Sequence, residues 1–146
     1  MDELEKLLTR LARRKNARWW VGERPEGRDG QMERNIAKLI DYPTSTTGHF
    51  EKNGLVRLDL DQAAHVLAVA GTTSLAYGKF SPSKGRFEEA KKALKVLKAD
   101  AVFLSNGLWR PGASNLWNPL SSATFDCGVI GYDNVSAFIF WVEEED

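Results

Sequence analysis

The residues that could carry out chemistry in this sequence of 146 residues are few, and their spacing does not fit catalysis. The two histidines, His49 and His65, and the single cysteine, Cys127, do not have the spacing of zinc ligands. His65 lies in an apolar helical stretch, which favours a hydrogen bond to the backbone over a catalytic pair with Cys127. No glycine-rich motif for phosphate or dinucleotide binding occurs. The sequence therefore predicts neither a metal nor another cofactor.

A long segment between two predicted strands, residues 106–122, carries the residue types that are enriched in binding hot spots. We call it the tryptophan loop. Trp109, Arg110, Trp117 and Asn118 combine flat apolar rings with donors and acceptors of hydrogen bonds. Loops of this length are usually functional or packed against their own domain. The two tryptophans are therefore candidate anchors for a partner, and the alternative is that they close the core.

Carboxylates near the tryptophan loop offer a second kind of chemistry. Asp126 and Asp133 follow the loop, and paired carboxylates can act as general acid and general base in hydrolysis. The sequence fixes no distance between them. A small hydrolase that uses Asp126 or Asp133 beside the tryptophan loop is therefore the alternative function.

Charge is unevenly distributed along the chain, although the formal net charge is zero. Residues 1–98 contain 19 Lys and Arg against 13 Asp and Glu, whereas residues 99–146 contain one basic residue against seven acidic ones. The two parts either neutralise each other across the folded surface or leave an acidic face for a basic partner. In the second case, the candidate contacts are Asp126, Asp133, Glu143, Glu144, Glu145 and Asp146.

Composition argues against several classes of partner and location. Zero net charge gives no overall attraction to nucleic acid or to anionic lipid, so neither is predicted as a partner. The apolar runs are far shorter than a transmembrane helix, and the charged first residues do not resemble a signal peptide. Together with the single cysteine, these features predict a cytoplasmic protein, and they leave its oligomeric state open.

Periodic patterns predict one α+β domain, residues 1–146, with about four helices packed on a mainly antiparallel sheet. The apolar repeat predicts helices over residues 3–15, 32–40, 60–70 and 87–97. Asp59 and Gln62 form a capping-box pair at the start of the third helix, and Gly71 is expected to end it. Strands are predicted over residues 17–21, 55–60, 72–77 and 101–105, followed by a hairpin of residues 124–132 and 135–142 that turns at residues 133–134.

Three short motifs in the last third of the chain carry a resemblance to a known group of proteins. They are Trp117-Asn-Pro-Leu, Thr124-Phe-Asp-Cys-Gly-Val-Ile and Phe140-Trp-Val-Glu-Glu-Glu-Asp146. In these motifs the chain resembles small bacterial immunity proteins, which accompany polymorphic toxins of contact-dependent or type VI secretion systems.

The resemblance implies an inhibitor without chemistry of its own, and therefore not an enzyme. Its partner would be a cognate toxin domain, whose active site it occludes. Such toxins often act on nucleic acid or nucleotides through a basic cleft. The acidic residues 143–146 would enter that cleft, with Trp109 and Trp117 as apolar anchors.

Overall fold

A computed structural model describes residues 1–42, 54–111 and 125–145 of the chain. These residues form an α+β domain of four α-helices and one five-stranded antiparallel sheet, which confirms the predicted fold class. The helices are α1 (Asp2–Ala12), α2 (Met32–Lys38), α3 (Leu60–Thr72) and α4 (Lys84–Leu94), and a short 3₁₀ helix (Asp29–Gln31) precedes α2. The strands are β1 (Ala17–Glu23), β2 (Val56–Leu58), β3 (Val102–Ser105), β4 (Phe125–Tyr132) and β5 (Ser136–Glu144).

The strand order is β1-β5-β4-β3-β2, and all four pairings are antiparallel. The predicted hairpin is therefore confirmed as β4 and β5, and it occupies the middle of the sheet. β1 comes first in sequence but pairs with β5, from Ala17 opposite Val142 to Glu23 opposite Ser136. β1 and β2 form the two edges.

One face of the sheet is covered by α1, α3 and α4. In α3, residues 63–71 are all buried except His65, because this helix lies between the sheet and α4. The strands direct alternate side chains to this face, as the two-residue repeat of a strand requires. The buried or half-buried side chains on this face include Trp19, Val21, Cys127, Val129, Phe138, Phe140 and Val142.

The opposite face is covered in part by α2 and the residues that follow it. Met32, Ile36 and Ile40 pack against a second set of strand residues, namely Ile130, Tyr132, Ala137, Ile139 and Trp141. Trp19 and Trp20 point to opposite faces and are each half-buried. Both rings stay partly accessible because β1 lies at the edge of the sheet.

Glycine residues in β4 allow the large rings of β5 to lie flat on the sheet. A Cβ atom on Gly128 would lie 2.1 Å from the carbonyl oxygen of Phe140 and 2.6 Å from a ring atom of Trp141. A Cβ on Gly131 would lie 2.3 Å from the Phe138 ring. Both positions therefore need glycine, because neighbouring groups lie too close to leave room for a Cβ atom.

The predicted cap of α3 is confirmed, whereas α4 begins and ends three residues earlier than the predicted helix of residues 87–97. Asp59 caps α3: its carboxylate accepts a hydrogen bond from the Gln62 amide at 2.8 Å, and the Gln62 side chain accepts one from the Asp59 amide at 2.9 Å. The hydroxyl of Ser83 likewise accepts the Arg86 amide at the start of α4.

Two expectations near the end of α3 are wrong. The helix continues through Gly71 to Thr72, and Gly71 is needed there because its Cα faces the Leu11 side chain of α1, 2.7 Å from where a Cβ would lie. The predicted strand of residues 72–77 does not form, because Thr72 still belongs to the helix and residues 73–77 form a turn. The reason is a carboxylate from β5 that binds the backbone of this segment, described below.

Candidate functional site

Only part of the tryptophan loop can be located, since residues 112–124 lie outside the described ranges. Trp117 and Asn118 are therefore not placed, and neither is Asp146. Arg110 is exposed. Trp109, in contrast, is 1% exposed, so its ring belongs to the core and is not presented to a partner.

The burial of Trp109 depends on unusual local geometry. Its backbone has a φ of 52°, a left-handed conformation that is rare for a bulky residue. Its ring nitrogen donates to Asn106 Oδ1 at 3.2 Å, and its ring packs edge-on against Phe80, with 5.3 Å between centroids. The Trp109 carbonyl lies 2.6 Å from Nε2 of His65, which is the backbone hydrogen bond expected for that histidine.

Asp126 is completely buried at the start of β4. Its Oδ1 accepts hydrogen bonds from Asn106 Nδ2 at 2.8 Å and from the Trp141 ring nitrogen at 3.2 Å. Asn106 in turn joins this group to Trp109. The carboxylate thus satisfies buried donors from two other segments of the chain, which is a structural role.

Asp133 organises the turn between β4 and β5. Its Oδ1 accepts the amides of Val135 at 2.8 Å and Ser136 at 2.7 Å, and its Oδ2 accepts the Lys98 amide at 3.0 Å. Burial raises the pKa of Asp133. The hydrogen bonds from these three amides lower it by a larger amount, so the net pKa lies below its ordinary value. Asp133 and Asp126 stand at opposite ends of an eight-residue strand, roughly 23 Å apart along the backbone, too far to act on one bond.

The carboxylate of Glu144, at the end of β5, holds the turn of residues 74–78. Its Oε1 accepts the Ser74 hydroxyl at 2.8 Å and the Ala76 amide at 3.2 Å. Its Oε2 accepts the Leu75 amide at 2.9 Å and lies 3.4 Å from Lys15 Nζ. These donors explain why residues 72–77 do not form a strand, since a side chain takes the place of a neighbouring strand as hydrogen-bond acceptor.

The turn held by Glu144 presents Tyr77 to solvent. The Tyr77 side chain is 79% exposed, the largest value among the exposed apolar and aromatic residues that the structure describes. Its amide donates to the Ser74 hydroxyl at 3.1 Å, and the Gly78 amide donates to the Ser74 carbonyl at 2.8 Å. Tyr77 is thus a large aromatic side chain on a backbone that is already fixed.

Next to this turn, the ends of β5 and α1 enclose a shallow groove of about 360 Å³. It is lined by Arg14, Lys15, Asn16, Glu143, Glu144 and Glu145. Glu145 is exposed and Glu143 is partly exposed, whereas the Glu144 carboxylate is occupied by the turn.

Basic residues from the first part of the chain lie against these acids. Lys15 approaches Glu144, and the guanidinium of Arg18 lies 3.9 Å from the Glu143 carboxylate. Arg18 also donates to the carbonyls of Ile40 and Asp41, both at 3.3 Å, and stacks over the Tyr42 ring. The uneven charge of the sequence is therefore partly neutralised within the fold.

Tyr42 is buried beside the same acids. Its hydroxyl has no hydrogen-bond partner that meets normal geometry within the described residues. Burial, followed by the neighbouring Glu143 carboxylate, raises the pKa of the Tyr42 phenol well above its ordinary value. The phenol is thus neutral across the physiological range.

The described residues contain no group of three or more His, Cys, Asp or Glu side chains arranged to hold a metal ion. Cys127 is fully buried in β4, and burial raises the pKa of its thiol. No α-helix among the described residues has the length and apolar character needed to cross a bilayer.

Replacing Glu144 by Gln is expected to lower the free energy of unfolding by about 1.5 kcal/mol near neutral pH, because hydrogen bonds to a charged acceptor are lost. Burial raises the pKa of Glu144, but its donors outweigh burial and the net pKa lies below the ordinary value of 4.5. The stabilisation is therefore present above pH 4.5 and is lost as the pH falls through the lowered pKa. Urea unfolding of both proteins from neutral pH downwards measures this difference, which should shrink in acid.

Glu145→Gln is the matched control for this experiment, since Glu145 is the exposed neighbour on the same strand end. It should leave stability unchanged within about 0.5 kcal/mol at every pH. If Glu144→Gln were equally neutral, the turn of residues 74–78 would not depend on the carboxylate.

In comparisons with known proteins, no family model, no curated sequence and no solved structure matches this chain.

Proposed function

We propose that this chain is an immunity protein, a stoichiometric inhibitor that binds a cognate bacterial toxin domain in the cytoplasm and occludes its active site. The proposal starts from the resemblance of the motifs within residues 117–146. It does not require a catalytic group or a cofactor in this chain. The hydrolase alternative receives less support, because Asp126 and Asp133 each accept structural hydrogen bonds.

The observation that favours a binding role most is the rigid presentation of Tyr77. Tyrosine is enriched among interface hot spots because its ring buries a large area at little cost in conformational entropy. The turn that carries it is fixed by Glu144 and Ser74 before any partner arrives. A preformed anchor reduces the ordering cost of association.

The accessible acids at the end of β5 supply the second element of the proposal. Glu145 and Glu143 would meet basic groups of the toxin, which mainly increases the rate of association and fixes orientation. Tyr77 would bury its ring and slow dissociation. In this scheme Tyr77 takes the anchoring role that the sequence assigned to Trp109.

The proposal predicts that a neighbouring gene encodes a toxin domain, and that domain is the partner with which the function is tested. Co-expression should rescue cells from that domain, and the two proteins should co-purify as a stable complex. Growth arrest despite abundant folded protein, or the absence of a complex, would contradict the immunity function.

Within such a complex, Tyr77→Ala is expected to weaken binding roughly 30-fold, or about 2 kcal/mol, the size of a typical hot spot. The loss should appear mainly in the dissociation rate, measured by surface plasmon resonance. Val135→Ala is the control, since Val135 is 51% exposed at the opposite end of β5 from Glu144, the residue that holds the 74–78 turn. Equal affinities of wild type and Tyr77→Ala would remove Tyr77 from the interface while leaving the immunity function open.

A further inference from the structure

The outer edge of β1 is the most accessible backbone in the sheet. Every residue of β1 is at least partly exposed, whereas seven of the eight residues of β4 are buried. β1 has seven residues and spans roughly 23 Å. Its one sheet neighbour among the described residues is β5.

Two hydrogen bonds fix which backbone groups of β1 face outward. The Glu143 amide donates to the Asn16 carbonyl at 3.1 Å, and the Arg24 amide donates to the Val135 carbonyl at 2.8 Å. In an antiparallel pair, hydrogen-bonded positions alternate, so the even-numbered residues from 16 to 24 bond to β5. The N–H and C=O groups of Trp19, Val21 and Glu23 therefore point away from the sheet.

The edge has few of the features that usually protect such strands, since its two charged residues, Arg18 and Glu23, lie on either side of an apolar centre. β1 contains neither proline nor lysine and has the apolar centre Trp19-Trp20-Val21. No hydrogen bond to the three outward N–H groups occurs within the described part of the chain. The Ala17 amide differs, because it donates to the Lys15 carbonyl at 2.9 Å.

We propose that β1 pairs with β1 of a second copy of this chain, antiparallel and with Trp20 opposite Trp20, to form one continuous sheet. In this register Trp19 lies opposite Val21 of the second copy, and Glu23 lies opposite Ala17. All three outward N–H groups of each strand then find a carbonyl acceptor. Aromatic pairs directly across two strands add to the stability of such a sheet.

Charge and hydrogen bonding favour this register over the two registers that are shifted by two residues. A shift of two residues in one direction places Arg18 opposite Arg24 of the second copy, which is repulsive. A shift in the other direction places Glu23 opposite Lys15, whose carbonyl already accepts the Ala17 amide. In the proposed register Arg18 lies opposite Gly22 of the second copy, so no two like charges face each other.

Sedimentation equilibrium of the whole chain over roughly a hundredfold range of concentration tests the proposal, with a dimer at the upper end as the expected result. Val21→Pro removes an outward donor but no hydrogen bond to β5, and it should raise the dissociation constant at least about tenfold. Glu23→Lys brings a positive charge towards Lys15 of the second copy, a diagonal neighbour on the same face, and should act in the same direction. Glu23→Gln is its control and should have less than about a threefold effect.

Amide hydrogen exchange provides a readout that does not depend on variants. The amides of Trp19, Val21 and Glu23 should exchange rapidly in dilute protein and become protected as the dimer forms. The amides of Arg18 and Trp20 bond to β5 and should be protected at all concentrations. A monomer throughout the range, or a dimer in which the three outward amides still exchange rapidly, would overturn the proposal.

Discussion

Gly128→Ala is expected to lower the free energy of unfolding by about 3 kcal/mol, one of the two largest effects anticipated for a single substitution in this chain. The new Cβ would lie 2.1 Å from the Phe140 carbonyl oxygen and 2.6 Å from the Trp141 ring. The carbonyl belongs to the backbone of β5, which is held between β1 and β4 and cannot move aside cheaply. Urea unfolding followed by circular dichroism measures the loss.

The chain offers a matched glycine for comparison. Gly85 lies in α4, and a Cβ added there meets no atom within 4 Å. Gly85→Ala should raise stability by about 0.5 to 1 kcal/mol, since alanine favours the helix over glycine. If both variants had the same stability, the close approach of β5 to Gly128 would be refuted.

Asp126→Ala is the second substitution with a large expected effect, also about 3 kcal/mol. It leaves the buried donors of Asn106 and Trp141 without the carboxylate that they share. Asp126→Asn should cost less, because its amide oxygen can still accept one of these hydrogen bonds. Thermal unfolding gives the stabilities, and the near-ultraviolet circular dichroism of Trp141 reports on the local packing.

Asp100→Ala serves as the control for this series, since Asp100 is exposed in the segment before β3. It should change stability by less than about 0.5 kcal/mol. A neutral Asp126→Ala would mean that the network through Asn106 does not stabilise the fold, and the hydrolase interpretation of Asp126 would regain interest.

Much of the fold could be predicted from local signals. The capping box at Asp59 and the turn at Asp133 depend on side chains within three residues of the backbone groups that they bind. The apolar repeats of α1, α3 and α4 are likewise local. Such features are visible in the sequence because their cause and their effect are close together.

The candidate site could be predicted much less well, since its contacts join distant parts of the chain. Glu144 binds the amides of residues 75 and 76, about 70 positions earlier, so the turn that presents Tyr77 was predicted as a strand. A short strand-like segment such as residues 72–77 gives no sign that a side chain will replace a neighbouring strand. Ser74 and Gly78, which are residue types common in turns, are the local signals that favour a turn here.

Trp109 illustrates the same limit for single residues. A tryptophan in a loop rich in Gly, Pro and Asn has the composition of a binding site, and also that of a packed loop. Its burial depends on Asn106, Phe80 and a left-handed backbone, and none of these has a sequence pattern of its own. The acidic residues near the end of the chain show the same limit. Asp126, Asp133 and Glu144 accept hydrogen bonds within the fold, whereas Glu145 is exposed, and the sequence does not distinguish them.

The position of β5 between β1 and β4 has a consequence for synthesis on the ribosome. Translation produces β1 and β4 before β5, the strand that lies between them in the sheet. Until β5 is made, β1 has no strand with which to pair in the native order. More than 100 residues separate β1 from its partner, and contacts of such long range slow folding. During that interval the Trp19–Val21 segment is exposed along both edges, which makes the newly made polypeptide a natural client for chaperones.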